Sequence, residues 1–170
     1  MRTVGARHNV NASQALTGRL LRYAPLIFWL GLIFYASTGD FSAENTSRFI
    51  GPLMRWLFPD ISAQKMQLVH MIVRKTAHFG GYAVLGILAA RAFCSSTRRW
   101  LWSRWFVWSV VLIIAYAMVD EYHQSFIPTR TGSPVDALID ITGGLTALVL
   151  FRALKLDQRL GASARRSFVQ

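Results

Sequence analysis

Residues Tyr23 to Gly39 read YAPLIFWLGLIFYASTG, with Arg22 before them, Asp40 after them and no charged side chain between. A helix needs about 20 residues to cross the roughly 30 Å of hydrocarbon in a bilayer, within a range of about 17 to 25. This stretch meets the requirement alone. Three further apolar stretches follow: Thr76 to Ala90, Trp105 to Val119, and Ile141 to Phe151. They are shorter, so each spans only if polar flanking residues enter the membrane with it. Composition agrees with this reading. The 170 residues are 53% hydrophobic and only 16% charged, against about a quarter charged in a soluble domain. The expected fold is all-α: a four-transmembrane-helix bundle with spans near 20–39, 75–94, 104–122 and 136–154. Together they form one membrane domain over 19–157, between polar tails at 1–18 and 158–170.

The distribution of charge gives an orientation. With the N-terminus inside, one set of segments holds Arg2, Arg7, Arg19 and Arg22, then Arg91, Arg98, Arg99 and Arg104, then Arg152, Lys155, Arg159, Arg165 and Arg166. The opposite side holds the acidic residues with the exception of Asp157. Basic residues concentrate on the cytoplasmic side of multi-pass proteins, so both termini are expected in the cytoplasm. Trp100, Trp102, Trp105 and Trp108 lie beside Arg98, Arg99 and Arg104, as at a membrane–water boundary and not in a soluble core. The formal net charge of +11 is then topology signal and attraction to anionic headgroups, and it implies no nucleic-acid partner. The first stretch is longer than most signal-peptide cores, which favours an uncleaved helix. The single cysteine, Cys94, excludes an intrachain disulfide and is expected as a free thiol near the cytoplasmic face.

The longest loop, Asp40 to Arg74, contains Pro52 and Pro59, so it is not one helix. Arg48, Phe49, Ile50, Leu53, Trp56 and Leu57 read as a short amphipathic segment on the outer surface. Ser62 to Val73 reads as a helix entering the second span, with Pro59-Asp60 as its start signal.

Polar groups gather at the outer ends of three spans. Lys75, His78 and Tyr82 follow i, i+3, i+7 spacing and share one helix face. Asp120, Glu121 and Gln124 fall within about one turn at the end of the third span. Asp136 and Asp140 stand at i, i+4 on the fourth. A carboxylate in hydrocarbon costs several kcal/mol unless it is paired, hydrated or neutralised, so four acids on two adjacent helices mark a functional site. Lys75 and Arg130 offset only part of their charge. The remainder is met by protons shared among the carboxylates, by a divalent cation, or by Arg74 and a protonated His78. A metal would draw on His78 with Asp136, Asp140 or Glu121, although no short ligand motif is present. His70 and His8 read as solvated or interfacial, and Tyr82 as either a packing residue or an acid. Gly143, Gly144 and Ala147, with Gly86 and Ala90, are small enough to let helix backbones approach closely.

These residues carry a family resemblance. Lys75-Thr76-Ala77-His78-Phe79-Gly80-Gly81-Tyr82 resembles the K-x-x-H-F-x-x-Y segment of VanZ-like proteins. The run from Asp120 to Arg130, DEYHQSFIPTR, resembles their D-E-x-x-Q-x-x-x-P-x-R segment, and Asp136 and Asp140 match the D-x-x-x-N/D that follows, ahead of Gly143 and Gly144. The resemblance implies a small polytopic protein of the bacterial inner membrane. The family is named for a member associated with low-level resistance to teicoplanin, a glycopeptide antibiotic.

Two functions lead on the sequence, ahead of a proton- or ion-coupled transporter, for which four helices are few without oligomerisation and no polar series continues to the cytoplasmic side. In the first, the outward-facing cluster acts on or binds an envelope lipid, a cell-wall precursor or a glycopeptide. Glu121 or Asp120 serves as general acid or base, Asp136 and Asp140 hold a metal or tune a proton, and His78 shuttles a proton or binds the metal. Lys75 and Arg130 hold an anionic headgroup, with Gln124 and Tyr82 completing the binding surface. In the second, the same residues lock the helices together without catalysis and bind a lipid, a glycopeptide or a protein partner.

Overall fold

The computed structural model of the chain describes residues 3–38, 43–128 and 132–167, with side chains described at 17–38, 48, 50–128 and 132–155. It is 86% helix, with no strand among the described residues. Six helices follow in order: α1 (Thr3–Ala36), α2 (Ala43–Leu57), α3 (Ala63–Cys94), α4 (Arg99–Ser103), α5 (Trp105–Gln124) and α6 (Pro134–Ser167).

Four of these contain segments long and apolar enough to cross a membrane: Thr17–Ala36, Ala63–Cys94, Trp105–Gln124 and Pro134–Lys155. Each is at least 20 residues long, and the polar flanks lie inside them. Asp120, Glu121 and Gln124 belong to the third span, and Asp136 and Asp140 to the fourth. The chain is a multi-pass membrane protein by length, composition and arrangement of its helices. At 1.5 Å per residue, the 32 residues of α3 exceed the hydrocarbon thickness, so its first turns project beyond it or the helix tilts. α3 is capped by Ser62, whose hydroxyl accepts from the Lys65 backbone N–H at 3.4 Å. The start therefore falls just after the Pro59-Asp60 turn. The amphipathic segment is α2, in which Leu53, Trp56 and Leu57 are exposed.

The seam of the bundle follows helical periodicity. On α3 the buried residues are Tyr82, Leu85, Gly86, Ala89, Ala90 and Ala92. On α5 they are Ser109, Ile113, Ala117, Asp120, Glu121 and Gln124. On α6, Asp136, Asp140, Gly143, Gly144, Ala147 and Leu148 form a similar stripe. The polar residues thus continue the same faces that build the apolar core.

α3 and α6 run parallel, although they are not consecutive. Arg74 meets Asp136 and His78 meets Asp140, each pair 62 residues apart. The two backbones come close where glycine permits it. A Cβ on Gly143 would strike the carbonyl oxygen of Phe79, and one on Gly86 would lie 2.6 Å from that of Gly144. α5 packs on both helices, with Ile113 filling the space above Gly144.

α1 lies at the edge, largely open to lipid, and is held by specific bonds. Trp29 Nε1 donates to the Gly81 carbonyl at 2.9 Å, the Tyr116 hydroxyl donates to the Leu30 carbonyl at 2.5 Å, and the Tyr23 hydroxyl donates to Ser96 Oγ at 2.8 Å. Near the cluster end, Phe34 stacks on His123 with centroids 4.5 Å apart.

Candidate functional site

The site is built one helical turn at a time. Arg74, Lys75, His78 and Tyr82 descend one side of α3. Asp136 and Asp140 descend the facing side of α6 in register with them. At the upper level, Asp136 accepts from Arg74 Nη2 at 2.5 Å and from Lys75 Nζ at 2.9 Å. One turn deeper, His78 Nδ1 lies 3.0 Å from Asp140 Oδ1. Exposure falls with depth. The Arg74 and Lys75 side chains are 33% and 36% exposed, that of His78 13%, and that of Asp140 not at all.

α5 adds the third wall. Asp120 is buried, and its Oδ2 accepts from the fully buried Gln124 amide at 3.3 Å. One nitrogen of His78 and one oxygen each of Asp120 and Asp140 lie within 4.8 Å of one another. These three residues could hold a metal ion. The set departs from the sequence expectation, which joined His78 to Asp136, Asp140 or Glu121. Asp136 is engaged by two cations instead. Glu121 lies about 100° around α5 from Asp120 and faces the start of α6.

There Glu121 Oε2 accepts from the backbone N–H of Ser133 at 2.6 Å. Ser133 immediately precedes α6, where orphan N–H groups and the positive end of the helix dipole favour a carboxylate. In a capping box an acid two or three residues inside the helix accepts this N–H. Here Asp136 occupies that position but is taken by Arg74 and Lys75, and Glu121 supplies the acceptor from α5. Expected as a general acid or base, Glu121 is placed as a tie between helices. Its Oε1 is buried without a hydrogen-bond partner.

Arg130, expected to bind an anion, lies outside the described residues. Tyr82 is 1% exposed, and its hydroxyl has no hydrogen-bond partner. His70 is half-buried. Arg74, one of the alternatives for balancing the acids, belongs to the cluster through its pair with Asp136. Its spacing of four residues from His78 was the available signal.

The cluster borders a groove of about 1110 Å³ between α1 and α3. Trp29, Leu32, Ile33 and Val84 form apolar wall, while Arg74, Lys75, His78, Asp120 and Asp136 line its polar end. Such a groove suits an amphiphile: an apolar chain along the helices and an anionic head at the cations. The Nε of Arg74 is buried without an acceptor, and Arg74 and Lys75 share the single carboxylate of Asp136.

The family model described as VanZ/LLP1 matches residues 23–155, from the first span to the end of the fourth. The chain belongs to the VanZ/LLP1 family. The matched region contains every cluster residue named above. Comparison with curated proteins and with solved structures gives no match. Membership in VanZ/LLP1 agrees with the four apolar helices in describing a multi-pass membrane protein.

Proposed function

We propose that this VanZ/LLP1 protein binds, and acts on, a phosphorylated or glycosylated envelope lipid or cell-wall precursor at the outer face of the bacterial cytoplasmic membrane, with both termini in the cytoplasm. The supporting observation is the groove between α1 and α3, which joins an apolar wall to Arg74 and Lys75. Arg74 offers planar paired donors suited to phosphate, and Lys75 a mobile point charge. Asp136 aims both. His78, backed by Asp140 as the orienting carboxylate, is the group that exchanges a proton at the headgroup. Arg130 supplies a further cation. The effect on teicoplanin susceptibility that gave the family its name would follow from a changed amount or form of such a lipid at the surface.

A second reading has its own support. The ion pairs described here all cross from α3 to α6, as expected if the cluster only fastens two helices. The two readings separate by experiment. Protein purified gently from membranes should carry a phosphate-bearing lipid detectable by native mass spectrometry. The Arg74→Gln/Lys75→Gln variant should lose it by tenfold or more while melting within a few degrees of wild type. Loss of stability with no bound lipid in either protein would support the fastening reading alone.

A further inference from the structure

We propose that His78, Asp120 and Asp140 form a binding site for one divalent transition-metal ion, zinc by the character of its ligands, with an open position facing the groove. The proposal shares its residues with the lipid reading and, with the ion bound, gives His78 and Asp140 metal binding in place of the proton exchange assigned to them above.

Geometry carries it first. One imidazole nitrogen and two carboxylate oxygens from three different helices lie within 4.8 Å of one another. Bonds of about 2.1 Å in a tetrahedral site place ligand atoms about 3.4 Å apart. His78 Nδ1 already stands 3.0 and 3.4 Å from the two oxygens of Asp140. The chemistry fits as well. Imidazole and carboxylate suit zinc, and two carboxylates with a neutral imidazole balance a divalent charge inside an apolar bundle.

A second observation points to a ligand at the same place. Tyr82 lies one turn beyond His78 on α3 and is 1% exposed, yet its hydroxyl has no hydrogen-bond partner. That hydroxyl lies within electrostatic reach of both Asp120 and Asp140. The site would give it an acceptor, a water or an anion in the fourth position of the ion. Gln124 completes the support by donating to Asp120, as outer residues orient metal-binding carboxylates. His78, Asp120 and Tyr82 all line the groove, while Asp140 closes the site behind them.

Three protein ligands with one open position is the arrangement of catalytic rather than structural zinc. A lipid phosphate oxygen reaching past Arg74 and Lys75 would meet the ion at that position.

The test uses full-length protein purified in mild detergent on a tag without histidine. Elemental analysis should find about one zinc per chain, or a chelated sample should take up about one on titration with zinc chloride. His78→Asn and Asp120→Asn should lower retained zinc tenfold or more, and His123→Asn, outside the site, should not. Cobalt(II) loaded into chelated wild type should give the visible bands of a tetrahedral site, which requires no variant to fold. Wild type that takes up no zinc, cobalt spectra of a six-coordinate aqueous ion, or Asp120→Asn and His78→Asn retaining zinc like wild type would each overturn the site. Bound lipid is measured on the same samples. Lipid without metal removes this proposal and leaves the lipid reading standing, and metal without lipid does the reverse.

Discussion

His78 and Asp140 are 62 residues apart in the chain and 3.0 Å apart in space. Their contact joins α3 to α6 one turn below the paired cations at Asp136. Tyr82 lies one turn deeper, and beyond it the buried residues of α3 and α6 are apolar or small, so the polar cluster ends there.

Removing one partner of a buried pair costs about 3–5 kcal/mol when a charge is left behind. His78→Ala leaves the fully buried Asp140 without its imidazole and should destabilise by about that amount. Asp140→Asn leaves an imidazole, which can rest neutral, so it should cost less. Thermal melts in detergent, after chelation, give the order. A reversed order would show that Asp140 is neutral in the bundle.

The close approach of α3 and α6 depends on glycine. Gly143→Ala drives a methyl into the Phe79 carbonyl, and Gly86→Ala places one 2.6 Å from that of Gly144. Each should cost about 1–3 kcal/mol or more, as overpacking does. Gly80→Ala has nothing within 4 Å of its new Cβ. It should be neutral, or stabilising by up to about 1 kcal/mol, because alanine is the better helix former.

Glu121→Ala removes the acceptor for the Ser133 N–H and should cost about 0.5–2 kcal/mol, the usual worth of a helix N-terminal acceptor. Glu121→Gln keeps an acceptor and should cost less. If Glu121→Gln abolished lipid turnover while matching wild type in stability, the carboxylate would have a chemical role beyond tying α5 to α6.

In the proposed orientation Cys94 and the cluster, at opposite ends of α3, face opposite sides of the membrane. Cys94 is half-buried and should resist a membrane-impermeant thiol reagent in intact cells. Ser62→Cys in a Cys94→Ser background should label readily. Rapid labelling of Cys94 together with protection of residue 62 would reverse the orientation.

Much of this was legible in the sequence. The four apolar stretches gave the helices, and their shortness required polar residues to enter the membrane. The i, i+3, i+7 spacing of Lys75, His78 and Tyr82 and the i, i+4 spacing of Asp136 and Asp140 gave the faces. What spacing within one helix cannot give is the register between two. α3 and α6 are separated by α4 and α5, so their parallel contact, and with it the choice of Arg74 and Lys75 for Asp136, was hidden. The same gap concealed that Asp120, not Glu121 or Asp136, completes a set with His78 and Asp140. Adjacent residues on α5 face different neighbours, and sequence alone does not say which. The bond from Trp29 to Gly81, which sets α1 beside the groove, has no local signature at all.

On the proposed function, the groove recognises a lipid by its anionic head. The direct measurement is binding of a matched pair, a long-chain phosphorylated lipid and its dephosphorylated alcohol, to detergent-solubilised wild type and to Arg74→Gln/Lys75→Gln. The phosphorylated lipid should bind wild type at least about tenfold more tightly, a difference of about 1.4 kcal/mol, and the variant should lose that preference. Equal affinity for the two lipids in wild type, or a preference that survives in the variant, would contradict the claim.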